Sequence, residues 1–350
     1  MLSSWGINFS ESPASTSSLL GTNDEFVNKS DSASPSLGGS SLIEEPRTVL
    51  SISTTFYPGA PETEKSDLWL SSSDGVYFFV QRSRLLEGSS NLFGGLLLSI
   101  DEKKKTRKDP TIDLNSISAV EEAVFNLPQP EENTPPVIPL CEDAALLNII
   151  LLIVYRLPME RYRPDLQLIC RAIPALVSYG YRLDNLITPT SDVFRLLIAH
   201  SVTHPLVVYA LAAGYRLEHL AVASSRNTLG VELSQITDDL ATVMGPIYLR
   251  RLFFLHLGRA DALKRLLLEP PAGHMPLPHC GLDDQKSLTR AWALAIAYMT
   301  VEAKPNTPPS MLSSSLSALG EHLECQKCRS CLDERIQTVV QQWSMIASTI

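Results

Sequence analysis

The sequence predicts an α+β protein in which a small sheet covered by helices precedes a mostly α-helical extension. Three observations carry this. Near residue 70, the runs Asp67-Leu68-Trp69-Leu70 and Val76-Tyr77-Phe78-Phe79-Val80 lie on either side of an Asp74-Gly75 pair, and strand formers around such a pair signal a hairpin. The apolar run Ala144–Tyr155 (AALLNIILLIVY) is too short to cross about 30 Å of hydrocarbon and reads as a buried core helix. From there, helical patterns dominate to about residue 269.

The elements follow in order. Thirteen of the first 41 residues are serine, and such a segment cannot bury enough apolar surface to offset its ordering entropy. Residues 1–62 are therefore expected to form a disordered Ser-rich tail. A domain over 63–187 opens with the hairpin and continues with a helix candidate, Ser83–Leu97. A polar insertion at about 99–119 carries Lys103-Lys104-Lys105-Thr106-Arg107-Lys108, a solvated charge block by default and a nuclear-import signal as the alternative. The stretch Leu127–Pro136 holds four prolines and cannot continue a helix. Val137-Ile138-Pro139-Leu140 is a brief extended segment. A helical-hairpin extension is expected over 188–270. A C-terminal segment over 271–350 then carries helix candidates at Ser310–His322 and Asp333–Ile346.

An internal echo runs through the helical part. Gly180-Tyr181-Arg182-Leu183-Asp184 matches Gly214-Tyr215-Arg216-Leu217-Glu218, and Leu257-Gly258-Arg259-Ala260-Asp261 is a looser third copy. Glycine tolerates the left-handed residue that stops a helix, and an acidic residue favours the first turn of the next. Repeated, that punctuation gives stacked helical hairpins. A helical-repeat scaffold with a small C-terminal zinc site is thus the alternative to the reading that follows.

The order of motifs at residues 67–93 resembles the BTB/POZ domain: an Asp-bearing strand (Asp67), a turn, a second strand, a basic residue (Arg82), then Leu85, Ser89 and Phe93. Phe125-Asn126-Leu127-Pro128-Gln129-Pro130, the segment Pro136–Asp143 and the Leu-rich run after it are similar to the fungal type of that domain. His204-Pro205-Leu206-Val207-Val208-Tyr209 and Gly214–Glu218 resemble the helical extension that follows it there. The resemblance spans roughly residues 65–270. It departs from the pattern at Gln81, where the family usually has His, and in the length of 94–123. What it implies is a non-catalytic adaptor that dimerises and recruits other proteins, in relatives a cullin-type ligase scaffold or a transcriptional corepressor. Asp67, Arg82 and Phe93 are the partner-binding positions it marks, with a local strand-to-helix salt bridge as the equal alternative for the charged pair.

The C-terminal cysteines give a second candidate. Cys325, Cys328 and Cys331 form two overlapping Cys-x₂-Cys steps, with Cys280 about 45 residues earlier. Two thiolates so spaced can reach one zinc ion at about 2.3 Å. Cys280 with two or three of the late cysteines is the candidate ligand set, and His279 and His322 are alternative ligands. Surface or partly buried thiols are the competing reading, since thiols at i, i+3 and i+6 of one helix diverge.

The net charge of −9 argues against nucleic-acid binding, which needs a cationic surface. Neither a secretory leader nor a membrane span is expected, and six unevenly spaced cysteines suit a reduced intracellular setting, cytoplasmic or nuclear. The chain has no P-loop, dinucleotide fingerprint, nucleophile elbow or His-Glu-x-x-His motif. His200, His204, His219 and His256 lie in apolar helical segments, where a hydrogen-bonded core or boundary histidine is the expectation. No catalysis is expected.

Overall fold

A computed structural model describes residues 50–98 and 135–350. The serine-rich segment up to residue 49, the lysine run and the Leu127-Pro128-Gln129-Pro130 loop lie outside the described residues. The fold is α+β, with a four-stranded sheet followed by helices.

The hairpin forms where the aromatic runs place it, as β2 (Leu68–Ser71) and β3 (Val76–Val80). Leu70 pairs with Phe78 and Leu68 with Val80. Leu68 and Leu70 face inward while Trp69 and Ser71 are half-buried on the other face, the two-residue alternation of a sheet with one core face. Gly75 turns the chain at φ +80°, and the Ser72 hydroxyl accepts from Val76 N at 2.9 Å. Strand β4 (Val137–Pro139) lies parallel to β2, and β1 (Ser51–Ile52) parallel to β3, giving the order β1-β3-β2-β4. Strand β1 corrects the expected tail, because residues 50–62, counted within it, include a strand paired to the sheet and side chains packed in its core. Phe56 is fully buried against Tyr155 and Phe78, and Thr63 and Ala60 are buried too. These few anchors suffice for packing although the local composition is that of a tail.

Helix α1 (Arg82–Leu86) is only five residues long, not the helix expected over 83–97. Gly88 at φ +83° ends it, and Leu92, Phe93, Gly94 and Gly95 all adopt positive φ, so the segment continues as turns. Helix α2 (Ala144–Tyr155) matches the apolar run. Asp143 caps it through Leu146 N, and Asp74 of the hairpin accepts from Ala144 N at 2.9 Å. Its central residues are buried on nearly every side, as a helix apolar all round requires.

Helices α3 (Leu166–Ser178), α4 (Leu183–Leu186), α5 (Asp192–Ser201), α6 (Pro205–Gly214) and α7 (Glu218–Thr228) follow in succession, and α8 (Asp238–Leu268) is broken at Gly245, ahead of Pro246. One continuous core runs from Phe56 to Leu252, so the boundary expected at 187/188 does not divide it. The third copy of the echo is no helix stop, because Gly258 lies inside α8. A lone glycine costs a helix only about 1 kcal/mol, and burial of Leu255, Leu263 and Leu267 around it outweighs that.

A second core gathers Leu263 and Leu267 of α8 with α9 (Leu282–Glu302), α10 (Pro309–Ser317) and α11 (Gln326–Met345). Two buried arginines close it. Arg335 donates to the backbone carbonyls of Leu266 and Glu269 at the end of α8. Arg259 donates to Pro305, Ile346 and Ala347 carbonyls at 2.7–2.8 Å, and its guanidinium lies 4.3 Å from the Trp343 ring centre. Replacing Arg259 with Leu strands three carbonyls and removes the cation–π contact. The expected loss in urea unfolding is about 3 kcal/mol. A loss under about 1 kcal/mol would show that water takes over those carbonyls.

Candidate metal centre

The loop between α8 and α9 and the start of α11 build the centre. Pro270-Pro271 ends α8 by denying the next helical N–H groups. Leu277 and Cys280 exchange two backbone hydrogen bonds of 3.0 Å, a tight turn with Pro278 and His279 at its tip. That turn buries Cys280 and leaves His279 exposed. Cys325 is the N-cap of α11 and Cys328 sits one turn in, both buried.

Four donors converge: His274, Cys280, Cys325 and Cys328 place their ligand atoms within 4.8 Å of one another. His274 Nε2 lies 3.3 Å from Cys328 Sγ, 3.4 Å from Cys325 Sγ and 3.5 Å from Cys280 Sγ. The Cys280 and Cys328 sulfurs are 3.6 Å apart. A tetrahedron with Zn–S of about 2.3 Å and Zn–N of about 2.0–2.1 Å separates sulfur from nitrogen by about 3.5 Å and sulfur from sulfur by about 3.8 Å. The donor set and its spacing fit a metal such as zinc. The ring is oriented as a ligand's should be, since His274 Nδ1 contacts the Met275 carbonyl at 2.7 Å and so leaves Nε2 for the centre. Gln285 of α9 accepts from His274 N at 3.0 Å.

The electrostatics divide the thiols. The backbone amides of Cys328 and Lys327 at the start of α11 draw the Cys325 thiol down to about 6. Burial pushes Cys328 up to about 12, and burial also raises Cys280. The helix start favours the thiolate at Cys325, and a cation beside Cys280 and Cys328 would offset their desolvation.

The structure brings together three of the four candidate cysteines. Cys331 lies two turns into α11, half-buried and outside the cluster, because six residues of helix carry a side chain about 9 Å along the axis. His279 and His322 are exposed and outside it as well. The histidine in the cluster is His274, which motif reading missed. Its signal was the pairing His274-x₅-Cys280 inside a proline-rich loop that no helix can occupy.

The partner-binding candidates have local roles. Asp67 accepts from Arg82 N at 2.7 Å, and Arg82 Nη2 donates to Leu97 O, so the pair ties strand to helix and turn. Phe93 is fully buried and stacks on Tyr179 with ring centres 4.1 Å apart. It is a core residue in this structure, with no surface exposed to a partner. His200 contacts the Pro164 carbonyl, and buried His256 contacts Thr228. A recess of about 280 Å³ between the end of α2 and the loop before α5 contains Asp192, whose carboxylate is already taken by Arg195 and Met159 N. No helix among the described residues is long and apolar enough to cross a membrane.

No family model, curated protein or solved structure matches the chain.

Proposed function

We propose that the chain is a BTB/POZ-like protein-interaction module without catalytic activity, whose C-terminal part is clipped by a structural zinc ion. The observation that carries the first half is the order of elements. A hairpin with an Asp-Gly turn, a short helix, a strand added beside β2 and a Leu-rich helix follow one another, which is the succession the sequence resemblance calls for. The Asp67–Arg82 clamp and the buried Phe93 serve this unit as architecture, so recognition falls to exposed neighbours. Leu92 and Leu98 flank Phe93 with 40% and 53% of their surface exposed, in the region the resemblance associates with pairing and recruitment.

For the second half, sulfur-rich tetrahedral donor sets favour zinc or iron–sulfur centres, and one imidazole with three thiolates suits zinc. Four protein ligands leave no open position for a reacting water, so the role is structural.

Calorimetry against purified cullin-type scaffold and corepressor fragments tests the binding role. Binding to one of them is expected, weakened at least about tenfold by the joint change Leu92→Asp and Leu98→Asp, since apolar anchors dominate such interfaces. Binding to none, or binding that ignores the pair, refutes the reading.

A further inference from the structure

Helix α9 is apolar on two opposite faces, and only one of them is covered by other described residues. Leu288, Trp292 and Ile296 are buried in the second core, with Met299 packed against it. On the reverse face Ala293, Leu294, Ala297, Tyr298 and Val301 are exposed, with Leu294, Tyr298 and Val301 at 76%, 72% and 82%. These residues recur at three- and four-residue steps, so they form one continuous stripe along the helix. Such a stripe of large apolar side chains bordered by alanines is a surface built to receive another helix, because alanine lets a second backbone approach and leaves room for a facing leucine.

Charge names the occupant. Arg290 stands at the N-terminal end of the stripe and Glu302 at its C-terminal edge, both exposed, and neither has an ion-pair or side-chain hydrogen-bond partner among the described residues. Within one helix they are twelve residues apart, about 18 Å, and cannot meet. An antiparallel copy of the same helix brings them together twice.

We infer that α9 is a self-association surface, on which a second copy of this chain packs its own α9 antiparallel about a two-fold axis near the level of Ile296. In that register Leu294 of each copy sits against Ala297 and Tyr298 of the other. Arg290 comes to the level of Val301 and Glu302 of the second copy, so both ends of the contact carry opposite charges. The symmetry is isologous and closes at two, which leaves no stripe free to propagate a fibre. A contact of three to four turns is at the small end of specific interfaces, so the dimer forms reversibly and with concentration. This surface is independent of the BTB/POZ reading, because it uses neither the sheet nor the Leu92–Leu98 segment.

Sedimentation velocity of the full chain over a dilution series tests it. The expected result is a monomer–dimer equilibrium that Leu294→Asp abolishes, with an unchanged circular dichroism spectrum because the side chain is exposed. Arg290→Glu alone, and Glu302→Arg alone, are expected to weaken association roughly fivefold to tenfold through like-charge contacts, and the double exchange to restore it. A monomer at every concentration overturns the inference. So does a dimer that survives Leu294→Asp, or one that yields to Leu92→Asp instead. Failure of the double exchange to repair either single change overturns the antiparallel register.

Discussion

Stripping the metal from the purified chain with a chelator is expected to lower its melting temperature by about 5 °C or more, from a loss of at least about 4 kcal/mol. The argument is one of position. His274 and Cys280 lie in a loop and Cys325 and Cys328 at a helix start, and the cluster joins them in addition to the apolar contacts of the second core and the Arg335 bonds to Leu266 and Glu269. Without a cation, three buried sulfurs and an imidazole are packed together with little to offset their desolvation. Cys280→Ser, His274→Ala and Cys328→Ser should each release the metal and expose the C-terminal part to proteolysis. Cys331→Ser, His279→Ala and His322→Ala should leave metal content at one per chain, because those side chains lie outside the cluster. Tryptophan emission supplies a local readout. Trp292 and Trp343 are both 1% exposed in that core, so its loosening shifts their emission to the red. A chain that purifies without metal and melts cooperatively at the same temperature as its Cys280→Ser variant sinks the structural zinc.

What could be read in advance follows from how local each signal is. The hairpin and α2 carry their periodicity and their turn chemistry within about a dozen residues, and those signals survive in any context. Strand β1 has no such signal. Two residues pair with β3 because Phe56 and Ala60 find the core, a tertiary fact that serine-rich composition hides. Helix α9 went unrecognised because apolar residues on both faces blur its period. Gly258 shows the reverse error, since a stop signal read from a short motif yields to burial on either side of it. In the metal cluster the Cys-x₂-Cys step is local, and Cys325 and Cys328 follow from it. The histidine does not, because whether His274 or His279 turns inward depends on the Leu277–Cys280 turn, and neighbouring side chains on an extended chain point apart.

Gly180→Ala should cost at least about 3 kcal/mol, while Gly214→Ala, its counterpart in the echo, should be neutral or stabilise by up to about 1 kcal/mol. The two glycines look equivalent in the sequence and are not. Gly180 has φ +81° just past the end of α3, whereas Gly214 is the last residue of α6 and the left-handed position of that turn falls on Arg216, at φ +56°. Gly180 is also where two backbones touch. Its carbonyl accepts from Ser90 N at 2.9 Å, Ser89 Oγ donates to the Tyr179 carbonyl at 2.7 Å, and Asn91 Nδ2 donates to Ser178 O at 2.8 Å. A Cβ at Gly180 would stand 2.6 Å from Asn91 Cγ and 2.8 Å from the Asn91 backbone nitrogen, so the segment carrying Phe93 would have to move off Tyr179. The left-handed strain and the clash therefore add, and the stacked ring pair is lost with them. Urea unfolding of both variants decides the matter. Equal losses at the two glycines would mean that the contact between 89–91 and 178–181 contributes nothing to the stability of the sheet and its covering helices.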